Sequence, residues 1–192
     1  MSTTTPEQTG PERTGNRVLR YWPVAAGIAV GVLSGYGVAA GADLAPVLTA
    51  SGLVYLGAAA LQRRGAAWPV FFVAFVVIGA SRFLPWEDAA TWVLLGFAAA
   101  FALYGLVRGA IRPFEALPLQ SLAMVLFGGA SVLVLIIGGD TAAYIVAAGL
   151  LAHAGWDAWH HRTGRVVVRS MTEFCMFLDV IAAGFMIAAA LA

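Results

Sequence analysis

Apolar residues fill seven long blocks of the chain, approximately 21–41, 44–62, 67–85, 89–107, 118–138, 141–161 and 171–191. Each block approaches the roughly 20 residues a helix needs to cross a hydrocarbon core. The breaks are polar or turn-forming: Asp43, Gln62-Arg63-Arg64-Gly65, Pro85-Trp86-Glu87-Asp88, Arg108 to Pro118, Gly138-Gly139-Asp140 and Arg162 to Arg169. The shortest, at 42–43 and 139–140, rest on a Gly/Asp turn alone. The pattern predicts an all-α integral membrane protein, a bundle of seven transmembrane helices over 21–192. Residues 1–20 are polar and rich in Thr, Pro, Gly and Glu, which predicts a disordered cytoplasmic tail. The apolar block that follows is long enough to span and lacks a clear small-residue cleavage site, so it is not a signal peptide.

Composition agrees. Of 192 residues, 61% are hydrophobic and 11% charged, whereas a soluble domain carries about 25% charged residues. The short-looped spans leave no room for a large water-soluble catalytic domain. A net charge of +1 gives no sign of a nucleic-acid partner. All eleven basic residues are arginine, which excludes lysine Schiff-base chemistry of the retinal kind. The single Cys175 forms no internal disulfide.

Charge also sets the orientation. With the N-terminus inside, the arginines at 13, 17, 20, 63, 64, 108, 112, 162, 165 and 169 face the cytoplasm, and only Arg82 does not. Asp43, Glu87, Asp88 and Asp140 fall on the opposite side. This asymmetry predicts a cytoplasmic N-terminus and an external C-terminus across a plasma membrane. On the first span Gly27, Gly31 and Gly35 fall four apart, as do Gly37 and Gly41. Small residues at that spacing let backbones approach closely, either inside the bundle or at a homo-oligomer face.

The candidate chemistry is concentrated near the end. All three histidines lie in His153-Ala154-Gly155-Trp156-Asp157-Ala158-Trp159-His160-His161. At about 100° per residue, His153, Asp157, His160 and His161 share one arc of a helix while the two tryptophans point elsewhere. Imidazole and carboxylate on one face suit a divalent transition metal, with His153, Asp157, His160 and His161 as candidate ligands. They equally suit a proton relay. His160 and His161, beside Arg162, also fit a plain interfacial role.

The last span supplies partners. Ser170 and Glu173 match a capping box. Asp179 stands alone in an apolar run, where a carboxylate costs several kcal/mol unless paired or protonated. His153 and Asp179 each lie about eight residues from the arginine-rich ends of adjacent antiparallel spans, so both sit roughly 12 Å deep. Equal depth predicts that they touch, with Asp157 and Cys175 matched one turn nearer the end. The candidate catalytic residues are therefore His153, Asp157 and Asp179. Tyr104, Gln120 and Glu173 are candidates for substrate binding, and Tyr55, Glu115 and Ser121 could face the same half.

With these residues in view, the last forty positions resemble a group of small bacterial integral membrane proteins of uncharacterised function. The shared pattern is H-x-x-W-D-x-x-H-H followed by Cys and Asp four apart: here His153, Trp156, Asp157, His160, His161, Cys175 and Asp179. The resemblance implies that these positions act as a set in a bacterial inner membrane, and it brings no reaction with it. Membrane desaturases have similar HxxHH boxes but need more histidines than the three present. The progestin-receptor and ceramidase-like hydrolases draw their zinc ligands from several spans, whereas here every histidine lies on one. The expectation is an enzyme acting on a lipid or isoprenoid-like molecule by metal or acid–base chemistry. The alternatives are a proton- or metal-ion-coupled transporter, or an accessory structural subunit.

Overall fold

The computed structural model describes residues 20–36, 41–86 and 88–192. Of the expected tail only Arg20 is among them, and Gly37 and Glu87 lie outside. The described residues form seven α-helices and no strand: α1 (Trp22–Gly35), α2 (Ala45–Ala60), α3 (Ala67–Ser81), α4 (Ala89–Val107), α5 (Leu117–Ile137), α6 (Gly139–Thr163) and α7 (Arg169–Ala190). Each apolar block contains one helix. Proline near the start of α1, α2 and α5 favours initiation there, because it lacks the N–H that would have no partner in a first turn.

Four stretches, Arg64–Ser81, Ala89–Val107, Leu117–Ile137 and Arg169–Ala190, are long and apolar enough to cross a membrane. The helices α1 and α2 are apolar but shorter. The longest, α6 with 25 residues, carries the polar stripe and falls outside that set. The exterior is oily: on α3 only Ala67, Val70 and Ala74 are buried, while Phe72, Val73, Phe75 and Val76 are exposed. A surface of this kind suits an apolar surrounding better than water.

The arrangement around α2 positions the site. Every residue of α2 from Leu48 to Ala60 is buried, so this helix is enclosed on all sides. It packs against α3, α4, α5 and α6. Its hydroxyls need no outside partner, since Thr49 and Ser51 donate to the carbonyls of Ala45 and Val47. The helix α7 lies between α1 and α6 and packs extensively on both.

The glycines of α1 are taken up in this packing. A Cβ on Gly27 would stand 2.3 Å from the Phe174 carbonyl oxygen, and one on Gly35 would stand 2.3 Å from the Phe185 ring. At Gly31 it would meet Ile181 Cβ at 2.9 Å. The face considered for a homo-oligomer is thus occupied by α7 of the same chain.

One hinge has a glycine requirement. Gly138 and Gly139, with φ of +64° and +61°, let α5 reverse into α6 with no intervening loop. At the other end of the bundle Trp22 stacks against Trp68, and the Trp68 indole N–H donates to Ser170 Oγ at 3.1 Å. The starts of α1, α3 and α7 therefore lie together, with the arginine-bearing connections.

Ser170 does not form the predicted capping box. The helix α7 begins two residues earlier, with Val168 as N-cap and no side-chain cap, which leaves Ser170 inside the first turn and facing Trp68.

Candidate functional site

The stripe on α6 resolves into a buried side and an exposed side. His153, Asp157 and His160 (i, i+4, i+7) are all buried, whereas Trp159 is exposed. His153 reaches across to α7: its Nδ1 lies 2.6 Å from Asp179 Oδ2, so the predicted contact is present. The same nitrogen is 3.3 Å from Asp157 Oδ2. The other Asp157 oxygen accepts a hydrogen bond from the Tyr55 hydroxyl of α2 at 2.5 Å. Three helices thus contribute one cluster, and its four members are each at most 1% exposed.

The hydrogen-bond directions follow from the donor inventory. With both carboxylates ionised, Nδ1 carries the proton and donates it chiefly to Asp179. In the neutral ring Nε2 then holds a lone pair, and this buried atom has no hydrogen-bond partner. Tyr55 and Phe127 press edge-on against the ring, with centroids 5.4 Å and 5.2 Å away. A histidine oriented through one nitrogen and free at the other has the arrangement used for a base or a metal ligand.

The donor set fits a metal only in part. Ligand atoms of His153, Asp157 and Asp179 all lie within 4.8 Å of one another, the one such grouping among the described residues. Two ligands on a tetrahedral ion, each about 2.0–2.1 Å from it, stand about 3.3 Å apart. The His153–Asp157 spacing of 3.3 Å fits that, while 2.6 Å between His153 and Asp179 is the spacing of a shared proton. A divalent metal in this trio would require Asp179 to draw back.

His160 and His161, expected as further ligands, are engaged elsewhere. His160 donates through Nδ1 to the Trp156 carbonyl at 3.0 Å. Its Nε2 accepts from Gln120 Nε2 at 3.2 Å, and Gln120 also donates to the Glu115 carbonyl at 2.9 Å. His160 is therefore a buried link between α5 and α6 and has no interfacial exposure. Its ring packs on Tyr55 at 4.7 Å, which joins it to the cluster by contact. His161 turns to α7, with Nδ1 3.0 Å from Thr172 Oγ1 and Nε2 3.9 Å from Glu173.

Of the residues considered for substrate binding, Gln120 lies behind the cluster and Glu173 is partly exposed beside His161. Tyr104 is on the exterior of α4 with the Arg108 guanidinium 5.9 Å from its ring, and the structure does not bring it to the site.

A crevice of about 80 Å3 reaches the cluster between α1, α2, α3 and α7, and Asp179 forms part of its wall. Ser34, Ser51 and Cys175 are its other polar neighbours, and the rest is aliphatic or aromatic, including Val30 and Phe71. A separate groove of about 300 Å3, lined by Ser121 and Met124, contains no titratable group.

Sequence reasoning undervalued Tyr55. It stands seven residues before Gln62, about 10 Å deep, at the level of His153 and Asp179. The depth comparison that paired those two would have found it as well. Thr172, the partner of His161, carries no comparable signal.

No family model, curated protein or solved structure matches this chain.

Proposed function

We propose that the chain is a seven-span membrane enzyme that performs acid–base chemistry on an amphiphilic, lipid- or isoprenoid-like molecule. In this reading the arginine-bearing end faces the cytoplasm and the His153 cluster occupies the cytoplasmic half of the bilayer. The observation that carries it is the pairing of His153 Nδ1 with Asp179, which lines an apolar crevice. Asp179 would meet the substrate and give or take the proton, and His153 behind it would return the proton through the 2.6 Å contact. Asp157 and Tyr55 orient the imidazole. The aliphatic crevice walls would hold a hydrocarbon chain and exclude water, which strengthens charge interactions at the reacting end.

The test uses purified protein in nanodiscs of bacterial polar lipid extract, with the lipids compared by mass spectrometry before and after incubation. One lipid class should change in mass with the wild-type protein and remain unchanged with Asp179→Asn or His153→Ala. An unchanged lipid profile with folded wild-type protein would refute the enzyme.

A second reading, a proton-coupled conductor or transporter, is favoured by one observation. Polar groups continue from Asp157 and Tyr55 past His160 and Gln120 to Glu115 at the arginine-rich end. Proton uptake by vesicles containing the protein, abolished in Asp157→Asn, would select it.

A further inference from the structure

Three connections at the arginine-rich end close around a third cavity, of about 300 Å3, at the lower end of the range for small-molecule sites. Gln62, Arg63 and Arg64 come from the turn after α2, Arg112 and Glu115 from the segment before α5, and Arg165 from the segment before α7. Four arginines and one glutamate thus line it, among apolar residues such as Ala58 and Val166. Two of them are held in place: Arg165 donates to Glu115 at 2.8 Å, and Arg64 Nε donates to the Val167 carbonyl at 3.3 Å. Arg63 and Arg112 have no carboxylate or carbonyl acceptor among the described residues.

The backbone adds few donors of its own. The helix α5 starts on the cavity wall with Ala116 as its N-cap, but Pro118 has no N–H and the N–H groups of Ala116 and Leu119 donate to the carbonyls of Pro113 and Phe114, so the arginine side chains carry the positive potential. The negative end of α2 is also on this wall, but it is closed. The N–H groups of Leu61, Gln62 and Arg63 return to the carbonyls of Gly57, Ala59 and Ala58, through Gln62 at φ +52°. Like charges gathered in one concavity repel unless an anion joins them. The planar fork of guanidinium matches the tetrahedral oxygens of phosphate.

We propose that this cavity binds a phosphate group, carried either by a lipid or by a soluble phosphate ester. Ala59 on its wall is four residues from Tyr55 along α2, about 6 Å. This wall of the cavity thus lies one helical turn along α2 from a member of the buried cluster, and on that ground a phosphate is the headgroup we infer for the amphiphile. This last step rests on the function proposed above, whereas binding of phosphate does not.

The experiment titrates the full chain in a nonionic detergent with inorganic phosphate, dihexanoyl phosphatidic acid and dihexanoyl phosphatidylcholine, by calorimetry. Wild-type protein should bind phosphatidic acid, inorganic phosphate or both, and phosphatidylcholine more weakly. Arg63→Gln and Arg112→Gln should each lower affinity roughly tenfold or more, since each removes a hydrogen bond to a charged group. Arg162→Gln, exposed but outside the cavity, should leave it unchanged. Binding of phosphatidic acid alone assigns the lipid source, and binding of inorganic phosphate alone assigns a soluble ester. Wild-type protein that binds neither overturns the proposal, as does equal weakening by Arg162→Gln, which would indicate a diffuse basic surface. His153→Ala should bind phosphate as the wild type does, so failure of the enzyme reading and failure of this one are separately visible.

Discussion

At the scale of single residues, the cluster is held by directed bonds between groups that have no water to fall back on. Tyr55 donates to Asp157, and both are buried. Tyr55→Phe removes only the hydroxyl and leaves a carboxylate oxygen unpaired, a loss of about 1–3 kcal/mol in a protein interior. Hydrogen bonds between membrane helices measure lower, averaging about 0.6 kcal/mol, so a loss near 1 kcal/mol is expected from thermal unfolding in detergent. Combining it with Asp157→Ala, which removes the acceptor, should give less than the sum of the single effects, because the two mutations remove the same bond. Strict additivity would show that the bond contributes nothing. The contact of His153 with Asp179 was legible in the sequence because both are ionisable, both sit in apolar runs, and both are equally deep. The separation of His160 from His161 was not legible. They are 100° apart on the helix, and only the positions of Gln120 and Thr172 decide which of them is enclosed.

At the scale of elements, α1 and α7 touch through glycines, and the sign of a substitution depends on what lies opposite. Gly27→Ala would drive a methyl into the Phe174 carbonyl, with an expected loss of about 1–3 kcal/mol from overpacking. Gly96→Ala on α4 meets nothing within 4 Å and should gain about 0.5–1 kcal/mol, because alanine is the better helix former. Melting temperatures of the two variants should therefore move in opposite directions. The four-residue spacing announced a close approach, yet nothing in it named α7, a helix more than 130 residues away, as the partner. The enclosure of α2 was hidden for a related reason. Hydropathy measures how apolar a helix is and is blind to whether lipid or protein surrounds it. The small and hydroxylated residues Thr49, Ser51, Gly52 and Gly57 are what fit α2 to neighbours on every side.

At the scale of the whole molecule, the arginines gather where three connections meet. Reporter fusions at residue 1 and residue 192 should report opposite sides of the membrane, with residue 1 inside. Both on one side would remove the seven-span reading, and with it the cytoplasmic placement of the arginine cavity. The number of helices was legible because every apolar block is bounded by charge or glycine. The spanning character of α6 is less plain, since the residues that make the site also dilute its hydropathy.

The position of α7 between α1 and α6 has a consequence for biosynthesis. A ribosome releases α1 first and α7 last, so the glycine groove of α1 stays empty and His153 stays without Asp179 until the final helix emerges. A nascent chain interrupted before Arg169 leaves both uncovered, and in the membrane reading proposed above it would present them to lipid. The same polar groups that form the site once enclosed would then mark the unfinished chain.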